Sequence, residues 1–108
     1  MEIDYTEVFK EIEAISAGLR FSIKHMPRYY RYVLGDRILN ILLDIKLMVK
    51  LKCKGRNYQF SEDDLYNALI TLGTLIDEGL EDKALLLKGK YNIIEPRRRL
   101  VALFKIFS

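Results

Sequence analysis

Residues 26–45 read MPRYYRYVLGDRILNILLDI, and this stretch decides the fold. Pro27 lacks the backbone donor that a first helical turn leaves unpaired in any case, and its fixed φ suits the start of a helix. The second helix is therefore expected to begin there. Beyond it Leu34, Ile38, Ile41, Ile45 and Met48 recur at spacings of four, three, four and three, the stripe of a helix packed on neighbours. Leu39, Leu43, Leu47 and Leu51 form a second apolar row. A helix apolar on two sides touches two partners, as at the centre of a bundle or where a helix is shared between core and subunit interface. Gly35 costs about 1 kcal/mol relative to alanine inside a helix, so its place points to close approach of a neighbouring backbone.

Working outward, a first helix is expected from about Asp4 to Met26. Asp4 is its N-cap, with Glu7 three residues on, and Val8, Ile12, Ile15, Leu19 and Met26 supply the inward stripe. Lys10, Glu13, Arg20 and Lys24 face outward. The residue before a proline resists the α conformation, so the break at His25–Pro27 folds the second helix back beside the first. That second helix is expected to run to about Lys54. Residues 55–60, GRNYQF, read as a loop; Ser61 with Asp64 then caps a third helix whose buried face is Leu65, Leu69, Leu72 and Ile76. Gly79 is its expected stop. From Glu81 to about Ile94 the composition is helical, weakened by Gly89, and Pro96 kinks or restarts the helix before a final piece, Arg97–Phe107. There is no internal repeat, low-complexity linker or β alternation.

The run from Lys24 to Asp44 resembles the pattern K-x-x-P-R-x-x-(R/K)-(F/Y)-x-L-G-x-R-(I/L) followed by a leucine-rich helix. That pattern is similar to the Avd-like family, the accessory variability determinants of diversity-generating retroelements, related to the ribosomal RNA intervening-sequence proteins. The resemblance covers some twenty residues and is loose elsewhere. It implies an all-α, antiparallel up-down four-helix bundle, a single domain over residues 1–108, assembled as a homopentamer. It also implies a non-enzymatic role in binding a reverse transcriptase and RNA or cDNA. The chain departs from the family at Pro96, where one long fourth helix is usual, and at its VALFKIF ending, which lacks a glycine- and tryptophan-containing terminus.

Composition is compatible with that expectation. A chain of 108 residues is one domain with a single core. Half of it is apolar while the mean hydropathy is −0.01, so apolar and charged residues segregate along amphipathic helices. That is more apolar surface than so small a core hides, and self-association is expected. A net charge of +3 and a pI near 9.0 permit polyanion binding without demanding it. Cys53 stands alone, which excludes an intramolecular disulfide and suits a reducing cytoplasm. One Cys and one His build no zinc site. The opening MEIDYTEVFKEIE is acidic and amphipathic, unlike a signal peptide, and Asn40, Asp44, Lys46 and Lys50 interrupt the second helix too often for a membrane span.

Three basic groups are candidates for nucleic-acid or partner binding. Arg28 and Arg31 open the second helix beside Tyr29, Tyr30 and Tyr32, offering guanidinium donors to phosphate and aromatic faces to bases. The plain alternative is that the tyrosines cap the bundle end and the arginines are solvated. Lys46, Lys50 and Lys54 recur every fourth residue and continue into Arg56, a stripe able to track a phosphate backbone or simply to be solvated. Arg97, Arg98 and Arg99 follow Pro96 and point in three directions, so at most two serve one ligand while another pairs with Glu95 or a second subunit.

Arg37, Asn40 and Asp44 lie on one side of the second helix and read as a polar seam fixing register between helices or subunits. Acid–base catalysis there lacks a histidine, serine or second carboxylate at a supporting spacing, so no catalytic residue is assigned. His25 reads as structural at a helix end, and Cys53 as a small packed apolar residue. The six glycines never cluster into a phosphate loop, and no cofactor or small-molecule substrate is implied. Two function classes follow: an oligomeric accessory that holds template and polymerase together through basic surfaces, or a protein-interaction bundle with no nucleic-acid role.

Overall fold

The computed structural model describes residues 2–55 and 61–108. The expected loop after Gly55, and Arg56 within it, lie outside the described residues. Four helical rods form an all-α up-down bundle. The first, α1, is Tyr5–Lys24, started by Asp4, whose Oδ1 accepts from the amides of Thr6 and Glu7. The second, α2, is continuous through three stretches: α-helical Arg28–Tyr30, π-helical Arg31–Gly35 and α-helical Asp36–Cys53. The third, α3, is Glu62–Glu81, opened by the capping box of Ser61 and Asp64 that the sequence announced. The fourth, α4, is Ile94–Phe107.

Contacts fix the alternating directions. The start of α1 meets the ends of α2 and α4, through Lys52 against Tyr5 and Tyr5 against Phe107. The C-terminal part of α3 meets the start of α4, where Arg97 stands 4.0 Å from Asp77. Around the bundle α1 packs on α2 and α4, and α3 packs on the same two helices.

The core contains every residue expected from the first and third helices: Val8, Ile12, Ile15 and Leu19 from α1 with Met26 just beyond its end, and Leu65, Leu69, Leu72 and Ile76 from α3. The phase of α2 differs. Its buried residues are Leu34, Ile38, Leu42, Ile45 and Val49, while Ile41 and Met48 are only half-buried at the side. Leu43 and Leu47 of the second row face outward. With leucine or isoleucine on nearly every flank of α2, periodicity alone offers two phases, and packing between α1 and α3 selects one.

Pro27 caps α2 rather than entering it, and its carbonyl accepts from the amide of Arg31 at 3.1 Å. The π segment closes with the amide of Asp36 donating to Arg31 O, a five-residue step that marks a single widened turn. Gly35 ends that turn against α1. A Cβ there would stand 2.8 Å from Ile23 Cγ2, so the close neighbour is a side chain of α1 and not a backbone.

The expected helix over Glu81–Ile94 is replaced by an irregular connection. Gly79 is not the stop: it is buried inside α3, and the helix ends two residues later in a Schellman motif. There Ala84 donates to Gly79 O at 2.8 Å and Lys83 to Leu80 O at 3.1 Å, with Lys83 left-handed at φ 59°. The chain then runs out and back around Gly89, at φ 87°, pinned by Ile93 donating to Leu86 O. The final helix begins at Ile94 rather than at the expected Arg97, so it already includes Pro96. The proline is the third residue of α4, inside the first turn, where a missing donor costs nothing. Among the described residues no helix is long and apolar enough to cross a membrane.

Candidate nucleic-acid interface

Two stretches of this chain, residues 14–35 and 83–94, hold seven Lys and Arg residues and no carboxylate. The fold joins them at one end of the bundle. Ser22, buried near the end of α1, donates its hydroxyl to Tyr91 O at 2.9 Å and so pins the returning loop against α1. The ring of Tyr91 then stacks on His25, centroids 3.8 Å apart at 15°, and Phe21 closes the cluster at 5.4 Å from Tyr91 and 5.3 Å from His25. Lys88 and Lys90 flank the loop tip at Gly89, and the Lys90 ammonium lies 5.7 Å from the Tyr91 ring centre.

Lys24 ends α1 and Arg28 begins α2 beside this cluster, both exposed. Arg28 lies 5.9 Å from the ring of Tyr32, itself exposed, and Arg31 is exposed in the π segment. Cationic side chains around solvent-facing aromatic rings are the chemistry that binds phosphate and stacks unpaired bases. At the end of α3, Glu78, Glu81 and Asp82 are exposed carboxylates.

The other candidates are differently placed. Arg97, Arg98 and Arg99 all meet carboxylates of their own chain. Arg98 pairs with Glu95, Arg97 approaches Asp77, and Arg99 donates to Glu11 at 2.8 Å and lies 3.5 Å from Glu95. The hydrogen bond that Arg99 donates to Glu11 holds its guanidinium above its ordinary value. Arg99 and Arg97 thus tie α4 to α1 and α3, while Arg98 pairs within α4. Lys50 leans over Phe9 at 5.6 Å, Lys46 is half-buried and Lys54 is exposed at the end of α2, so the lysine stripe is not uniformly solvated.

Arg37, Asn40 and Asp44 form no seam between helices of the chain. All three are exposed on α2, and among the described residues their side chains have no hydrogen bond or ion pair. The physical reason is the phase of α2, which turns this face outward. Arg37 borders a groove of about 450 Å³ with Tyr29, Tyr30, Thr74, Glu78 and Asp82, away from Asn40 and Asp44. Cys53 is exposed rather than packed, again because the last turn of α2 clears the core. Among the described residues no group of three His, Cys, Asp or Glu could hold a metal.

Sequence reading named Arg28 and Arg31 as candidates and did not name Phe21, Lys88, Lys90 or Tyr91, which the fold brings to the same end of the bundle. The signal available was the absence of acid from two separate stretches. Set beside known proteins, the chain matches no family model, no curated protein and no solved structure.

Proposed function

We propose that this chain is a non-enzymatic, oligomeric nucleic-acid-binding bundle that presents its basic, aromatic end to structured RNA or cDNA as an accessory to a reverse transcriptase. The observation that carries the binding is the joining of two carboxylate-free stretches around Phe21, His25 and Tyr91, far apart in sequence and together in the fold. The reverse-transcriptase role rests on the resemblance of residues 24–44 to Avd-like proteins. Such an accessory contributes proximity between template and polymerase, and repetition of a modest patch in an oligomer multiplies its hold on one long polyanion.

The second reading, a protein-interaction bundle without nucleic acid, is favoured by the exposure of Leu43 and Leu47 and by the pairing of all three C-terminal arginines within the chain. Fluorescence anisotropy with a labelled RNA hairpin at low and at physiological salt separates the two. The first reading expects binding that weakens steeply as salt rises, with a slope that falls by about 0.7 to 0.9 for each phosphate contact removed. Charge reversal at Arg28 and Arg31 should lower that slope. Reversal at Arg97 and Arg98 should do so less, since both are already paired. No binding at low salt leaves the interaction module as the account.

A further inference from the structure

The outward face of α2 carries an apolar ridge that its own chain leaves uncovered: Leu43 is 54% and Leu47 59% exposed. Lys46 and Lys50 border one flank of the ridge and Asp44 the other, as their positions around a 3.6-residue helix require. On a different side of the bundle, α1 and α4 enclose a groove of about 510 Å³. Val8 and Leu103 form its buried floor, and Ile3, Ala102 and Ile106 its apolar walls. The α1 lip carries Glu7 and Glu11, with Asp4 just before the helix; the α4 lip carries Arg98 and Arg99 together with Glu95, and Arg99 is paired with Glu11 across the groove at 2.8 Å.

We propose that the groove of one copy receives the α2 ridge of a second copy, with Lys46 and Lys50 along the Glu7 and Glu11 lip and Asp44 beside Arg98. The proposal rests on the oligomeric reading above and adds the surfaces that mate. Its warrant is complementarity in three respects at once. A convex apolar strip meets a concave apolar one, a lysine flank meets a glutamate lip, and an aspartate flank meets an arginine lip. Glu7 and Arg98 keep 63% and 73% of their side-chain surface exposed despite their local partners Lys10 and Glu95, so each has surface left for a neighbour. Ridge on ridge would leave the groove open to water. Because ridge and groove lie on different sides of the bundle, the contact is head-to-tail, and it closes into a ring or continues as an open chain. It also places Asp44 of the outward polar face against charge, where among the described residues it has no ion pair.

A mixing experiment tests this. A ridge-disabled chain, Leu43→Glu with Leu47→Glu, and a groove-disabled chain, Ala102→Glu with Ile106→Glu, alter exposed positions only, and far-UV circular dichroism checks that each stays helical. In sedimentation velocity the unaltered protein is expected to be oligomeric and each variant monomeric. Their mixture is expected to give a species of twice the monomer mass, because one intact ridge and one intact groove remain. Variants that stay fully oligomeric overturn the interface and leave the oligomeric reading standing. Monomeric variants that do not combine overturn the head-to-tail pairing. A monomeric unaltered protein overturns both. A charge swap reads the same contact without touching apolar residues: Lys50→Glu lowers the oligomer fraction, and adding Glu7→Lys to that chain restores it.

Discussion

The ring of Tyr91 lies stacked on His25 at 3.8 Å, and this contact, with the Ser22 hydroxyl on Tyr91 O, holds the loop that bears Lys88 and Lys90 against the end of α1. Tyr91 is half-buried with one face stacked on His25, so its part in the proposed RNA binding is to position the lysines. Tyr91→Ala is expected to reduce the salt slope of RNA binding as far as Lys88→Ala with Lys90→Ala does, while leaving overall helicity intact. Anisotropy titrations of the two variants side by side make the comparison, and an unchanged slope for Tyr91→Ala would count against the loop as part of the interface.

Phe21 offers the complementary test. Its ring is 49% exposed, which leaves surface for an unpaired base. Stacking of this kind is worth about 1–3 kcal/mol per base, and Phe21→Ala should weaken binding to a single-stranded or bulged RNA roughly tenfold without altering the salt slope. A perfectly paired duplex should barely respond.

Gly18 of α1 and Pro96 of α4 meet so closely that a Cβ on residue 18 would lie 2.4 Å from Pro96 Cγ. In an exposed helix the exchange of glycine for alanine gains about 1 kcal/mol. Here the sign should reverse. The proline ring is rigid and held in the first turn of α4, so α1 and α4 must separate, at a net loss of about 1–3 kcal/mol. Urea denaturation of Gly18→Ala measures it, and a stabilised variant would show that the helices part freely.

What the sequence disclosed depended on how local the determinant was. Asp4 and Ser61 announced their helices because a cap is settled within three residues, and the stripes of α1 and α3 had one phase each. The phase of α2 was hidden by its leucines on every flank, and with it went the outward turn of Asn40 and Asp44. The end of α3 was illegible for another reason. A lysine in the left-handed region has no local signature, so Gly79 looked like the stop and the connection looked helical. The candidate interface was half legible: Arg28 and Arg31 sit in the opening motif, whereas Phe21 and Tyr91 meet only through contacts some seventy residues apart in sequence.

Lys83 itself supplies a stability prediction. It occupies the left-handed position of the Schellman motif, where glycine is the usual residue, and its side chain is exposed. Relief of the Cβ clash, offset by the extra freedom glycine has when unfolded, should make Lys83→Gly more stable by about 0.5–1 kcal/mol. For a domain of this size that raises the melting temperature by a few degrees. A fall in melting temperature would mean that the Lys83 side chain contributes more than its backbone costs.

Tyr5 joins the start of α1 to the start of α3 by donating its hydroxyl to Glu62 Oε1 at 2.9 Å. Burial, and then the hydrogen bond and charge of Glu62, push the phenol from 10.0 up to about 12. The folded protein therefore keeps a proton that the unfolded chain releases. The stability this supplies is complete below pH 10 and is lost as the pH rises from 10 towards 12. Tyr5→Phe removes the group from both states. It should cost about 0.5–1.5 kcal/mol at neutral pH and show a shallower decline of stability between pH 10 and 12 than the unaltered protein. Urea midpoints across that range decide the matter, since parallel declines would mean that Tyr5 titrates alike in the folded and unfolded chains.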